Sequence, residues 1–89
     1  PTTMYKGHFR TDTFNENNPE IQMNNWVEPT LYNNGSTDIY VNGMKLKPQG
    51  ILRLGPANVE MKGTVHIRFP EEGNHDVKVN YVIIEKPCP

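Results

Sequence analysis

The chain has a single cysteine, a single tryptophan and a single serine, and its longest apolar run is the four residues Tyr81–Ile84. Each shortage closes off a class of protein. Cys88, flanked by prolines at the C-terminus, cannot form an internal disulfide, so no disulfide framework holds the fold, and a solvent-exposed tail cysteine is expected. A four-residue apolar run is far short of the roughly 20 residues of a membrane-spanning helix. Nine basic and ten acidic residues leave a net charge of −1, and no basic cluster exceeds the spaced pair Lys45 and Lys47. Without a basic stripe there is nothing to track a phosphate backbone or an anionic lipid surface, so neither nucleic acid nor membrane is an expected partner.

Chemistry is equally scarce. The three histidines His8, His66 and His75 match no zinc spacing, and one cysteine cannot complete a Cys/His quartet. Ser36 sits in a turn with no base or oxyanion donor in reach of the pattern, so no nucleophilic constellation assembles. The acidic stretch of Glu71, Glu72, Asn74 and Asp76 fits no EF-hand spacing and reads as a solvated loop tip. Asn34-Gly35-Ser36 matches a glycosylation sequon but reads as a β-turn. The expectation is a protein that is not an enzyme, with no cofactor and no metal.

Turn chemistry, by contrast, is abundant: eleven asparagines, eight prolines and seven glycines among 89 residues, of which only 35% are hydrophobic. Asn42-Gly43 joins "DIYV" to "MKL", and because both turn positions need positive φ this is a strong hairpin signal. It places Ile39 and Val41 on one side, with Met44 and Leu46 opposite. "TLY" (30–32) and "ILRL" (51–54) read as further short strands. "TVHIRF" alternates Val65, Ile67 and Phe69 against polar residues, and "VKVNYVII" alternates Val77, Val79, Tyr81 and Ile83, so the two are expected to form a long hairpin across "PEEGNHD". Val82 and Ile84 make the outward side of the last strand apolar at one end, which predicts an oligomer interface there.

Residues 1–28 keep neither a helical nor a strand period for long, and Asn-Asn-Pro interrupts them. They read as an extended N-terminal arm with one or two short strands, preceding a body over 29–89. The predicted fold class is all-β, a small antiparallel β-sandwich or barrel of about six or seven short strands. The arm holds two of the three phenylalanines and the tryptophan. Phe9, Phe14, Met23 and Trp26 are therefore its candidate partner-binding anchors. Either the arm wraps its own core or it docks on another chain.

"YNNGSTDIYVNGMKLKPQG", continuing through "LRLG" to "VHIRF", resembles small β-structured virion proteins of tailed bacteriophages, of the capsid-decoration and head-fibre type. The shared pattern is a polar Asn-Gly loop, a short strand, Val-Asn-Gly, and a strand with leucine before proline. The resemblance implies a non-enzymatic structural protein located in the virion. Its implied partners are the major capsid protein or another virion protein and further copies of itself, a homo-oligomer with a trimer favoured. No signal peptide is read, and Pro1 is taken as what remains after removal of an initiator methionine, which fits synthesis in the host cytoplasm, with a matured secreted chain as the alternative. The alternative from the residues alone is a cell-surface adhesin or carbohydrate-binding β-sandwich module, with Tyr5, Trp26, Tyr32 and Tyr40 as possible sugar platforms.

Overall fold

A computed structural model describes residues 5–85; Pro1, Met4 and Cys88 lie outside the described residues. The protein is all-β, with seven strands: β1 (Lys6–Phe14), β2 (Glu20–Asn33), β3 (Ile39–Val41), β4 (Met44–Leu46), β5 (Ile51–Arg53), β6 (Glu60–Arg68) and β7 (Val77–Glu85). They form one antiparallel sheet in the order β1-β7-β2-β6-β3-β4, with β5 also paired to β2.

β2 organises everything else. Its first half pairs with β6 (Glu20 opposite His66 through Val27 opposite Glu60), and its second half pairs with β7 (Trp26 opposite Ile83 through Asn33 opposite Val77). Two bulges interrupt it. Asn25 is the extra residue against β6, and Glu28 with Pro29 opposes the single residue Tyr81 of β7. Asn25 and Glu28 both adopt positive φ, 60° and 50°, and Pro29 is tolerated because a bulge needs no N–H from it. Its carbonyl still accepts a hydrogen bond from the Leu54 amide at 2.8 Å.

These bulges fold the sheet. Phe14 lies opposite Val77, as does Asn33, so at about 3.3 Å per residue a flat sheet would hold Glu20 roughly 40 Å from Phe14. The connection through residues 15–19 spans at most about 21 Å. The first half of β2, with β6, β3 and β4, therefore turns back over the layer made by β1, β7 and the second half of β2. Between these layers Phe14, Ile21, Trp26, Leu31, Ile39, Val41, Val65, Ile67, Val77, Val79 and Tyr81 form one buried cluster.

Two expectations are corrected. Residues 6–28 are not an extended arm preceding a separate body: β1 is an edge strand, β2 is the central strand, and the boundary drawn after residue 28 falls inside β2. The apolar pattern looked aperiodic because each bulge shifts parity by one. Ile21 and Met23 face the core, then Trp26, then Leu31 and Asn33, so the inward positions run odd, even, odd. The long hairpin expected between β6 and β7 does not form, since β2 lies between them and the segment after Arg68 crosses over. The Asn42-Gly43 hairpin does form, in the expected register, with φ of 47° and 86° at the two turn residues.

Two polar nodes fix the loop ends. Asn33 is buried, donates through Nδ2 to the carbonyls of Thr37 and Leu46 at 2.9 and 3.2 Å, and accepts from the Gly35 amide at 3.1 Å. His75 bridges Glu16 Oε2 at 2.8 Å and the Glu71 carbonyl at 2.6 Å, with its ring against Phe69. The Glu71 hydrogen bond, then that of Glu16, holds the His75 pKa above its ordinary value.

Candidate protein-binding face

β1 and β7 pair residue for residue from Lys6 opposite Glu85 to Phe14 opposite Val77, without a register shift. Strand alternation therefore sorts their side chains cleanly. Phe14, Asp12, Arg10, His8 and Lys6 share the inner face with Val77, Val79, Tyr81, Ile83 and Glu85. Gly7, Phe9, Thr11 and Thr13 share the outer face with Ile84, Val82, Asn80 and Lys78.

On the outer face Phe9 is 70% exposed and sits directly across from Val82, with the half-buried Ile84 next along β7. A shallow groove of about 340 Å³ runs beside them, with Phe9 and Val82 as its apolar wall and Glu28, Thr30, Arg53 and Asn80 as its polar one. Further along the same face the Thr11 hydroxyl donates to Asn80 Oδ1 at 2.7 Å, and Lys78 Nζ donates to Thr13 Oγ1 at 2.9 Å. These contacts hold the polar half of the ribbon in place, while in its apolar half Phe9 faces water and Val82 and Ile84 are half-buried.

The inner face behaves differently. The Trp26 and Tyr81 rings stack nearly parallel, with centroids 3.7 Å apart, and the Tyr81 hydroxyl donates to Asp12 Oδ2 at 2.8 Å. Burial, followed by that carboxylate, raises the Tyr81 pKa. An open groove of about 440 Å³ lies alongside, lined by Asp12, Phe14, Asn18, Glu20, Gln22 and Trp26.

The expected partner-binding residues therefore separate. Phe14 and Trp26, each only 6% exposed, are core residues of this chain's own fold, which removes them as anchors for another protein. Met23 is half-buried and packs against the same core. Phe9, expected as an anchor, and Val82 and Ile84, expected as an oligomer interface, are brought together on one face. Among the sugar-platform candidates, Trp26 is covered by Tyr81, and Arg68 lies 4.3 Å over the Tyr40 ring. Tyr32 is half-buried, whereas Tyr5 is 58% exposed beside the start of β1.

Among the described residues no group of three or more His, Cys, Asp and Glu side chains is placed to hold a metal ion. The exposed His8 and His66 rings lie 3.7 and 3.4 Å from carboxylate oxygens of Glu85 and Glu20. The sequence reading missed Asn33 and the Asp12–Tyr81 contact. Asn33 was detectable, because it follows Leu31 at the inward spacing of two. Asp12 was not, because its partner lies 69 residues away along the chain. Comparison with family models, with curated proteins and with solved structures finds no match.

Proposed function

We propose that this chain is a structural, non-enzymatic virion protein that attaches to a larger protein shell through the outer face of the β1–β7 ribbon. The observation behind this reading is the convergence of Phe9, Val82 and Ile84 on one solvent-facing strip, in a chain that packs its other aromatic anchors inside itself. Large apolar side chains left in water on a small domain mark contact surfaces, and a ring of this size is the kind of anchor that dominates an interface. The groove beside Phe9 adds Glu28 and Arg53 as flanking polar groups able to set the orientation of a bound partner. The virion setting comes from the resemblance of the 32–69 segment to capsid-decoration and head-fibre proteins. The carbohydrate-binding alternative draws less support, because Trp26 and Tyr40 already have their faces covered.

Quantitative mass spectrometry of virus particles produced by cells that carry the gene for this chain tests the reading. The expected result is the chain at a fixed stoichiometry to the shell protein, and a marked loss of incorporation for Phe9→Ser without loss of folded protein. Absence of the chain from the particles overturns the assignment.

A further inference from the structure

β1 is the sheet's long edge, and the charged residues Lys6, His8, Arg10 and Asp12 on its inner face limit which registers another strand can take against it. It is nine residues long, contains no proline, and pairs with β7 without a bulge, so one row of its backbone N–H and C=O groups has no strand beside it among the described residues. Natural proteins blunt such edges because they are templates for pairing with another chain. The opposite edge of this sheet is blunted in that way, since β4 is only three residues long and is followed by Lys47 and Pro48.

We infer that two copies of this chain pair through their β1 edges, antiparallel and centred on Thr11, so that Arg10 of each copy lies opposite Asp12 of the other. The inference deepens the proposed structural role, on which it rests, by naming one contact from which the assembly is built. It is carried by the order of charges on the strand. A two-fold axis perpendicular to the sheet keeps inner faces together, so only residues of the same parity meet across it. Centring on Arg10 sets Arg10 against itself, and centring on Asp12 sets two carboxylates together. Centring on Phe9 matches Lys6 with Asp12 but puts His8 against Arg10 twice. Centring on Thr11 alone sets opposite charges directly across, twice, with no like-charged pair opposite.

The outer face agrees with this register. Phe9 of one copy then meets Thr13 of the other, where Lys78 Nζ is already held 2.9 Å from Thr13 Oγ1. An ammonium beside an exposed ring is attractive. Thr11 faces Thr11 at the axis, a favourable cross-strand pair. Both outer faces end on the same side of the joined sheet, which duplicates the Val82 and Ile84 strip for attachment. The contact is isologous, so it builds dimers or even-numbered assemblies, unlike the trimer the resemblance implies.

Charge exchange in the full chain tests the inference, read by light scattering across the micromolar range. The wild type is expected to be a dimer. Arg10→Asp and Asp12→Arg, each alone, place like charges across the axis and should raise the dimer dissociation constant at least about tenfold. Mixed in equal amounts, the two variants should restore a heterodimer, because every crossing pair is then of opposite sign. In a Cys88→Ser background, Thr11→Cys should cross-link on mild oxidation and Phe9→Cys should not, a test that needs no change of charge and no Asp12 substitution. A monomeric wild type, a dimer that both single variants retain, a mixture that fails to pair, or cross-linking at position 9 in place of 11 overturns the register. Particle composition reads separately: a chain found in virions without this dimer leaves the structural role standing, and the dimer without the virion leaves only the pairing.

Discussion

Phe9 and Phe14 lie on the same strand, five residues apart, yet one is 70% exposed and the other 6%. An odd separation on a strand puts them on opposite faces. Phe14 therefore enters the core that the folded β2 closes, while Phe9 stands on the outer face of the ribbon beside Val82. Aromatic content alone does not say what an aromatic residue does. Its parity on the strand, and whether a second layer covers that face, decide between packing and contact.

The strongest way to break this comparison is on the covered side. Trp26→Ala removes the ring stacked on Tyr81, beside the two β2 bulges that fold the sheet. A large-to-small change of this kind costs about 3–5 kcal/mol, with up to about 1.5 more from the lost stacking. A domain this small has about 5–10 kcal/mol of total stability. Urea titration should place the variant at or near the unfolding midpoint in water. A loss under about 1 kcal/mol would mean that the bulges hold the fold without the Trp26–Tyr81 stack.

A middle-sized effect sharpens the role of the loop node. His75 has its pKa raised by the Glu71 carbonyl and then by Glu16, and Glu16 has its pKa lowered by its own backbone hydrogen bond and then by His75. The His75 contribution is fully present below its ordinary value of 6.5 and is lost as pH rises through its raised folded value. The Glu16 contribution is present above its ordinary value of 4.5 and is lost as pH falls through its lowered one. Their joint effect is therefore greatest between those two ordinary values. The Tm difference between wild type and His75→Gln should peak in that window and shrink toward alkaline pH. A difference that stays flat with pH would reduce His75 to a packing residue against Phe69.

How much of this was legible in the sequence follows from the same parity rule. β7 and the second half of β6 were legible because Val77, Val79 and Tyr81, and Val65 and Ile67, alternate without interruption. The β3–β4 hairpin was legible because Asn-Gly specifies its turn locally. β2 was not, because bulges at Asn25 and Glu28 shift the inward set twice within 14 residues, and a shifted period looks like no period. Strand order left no local trace at all: nothing in β1 or β7 signals that they are neighbours across the chain's full length. The outer strip was half legible, since Val82 and Ile84 broke the alternation of β7, while Phe9 could be matched to them only once the register of β1 was known.

The smallest stability effect bears most directly on the proposed contact face. Phe9→Ala removes a ring that buries little on folding, so the free energy of unfolding should stay within about 0.5 kcal/mol of wild type. Phe14→Ala, the same chemical change on the same strand, should cost about 3 kcal/mol or more. Equal losses in parallel urea titrations would place Phe9 inside a folded unit or a dimer interface, and not on a free surface. That outcome has its own signature. If Phe9 is already covered by Thr13 and Lys78 of a second copy, the Phe9→Ala loss will grow with protein concentration, because folding and pairing are then one equilibrium. A loss independent of concentration assigns the ring to its own chain. No loss leaves the strip on β1 and β7 open for a partner.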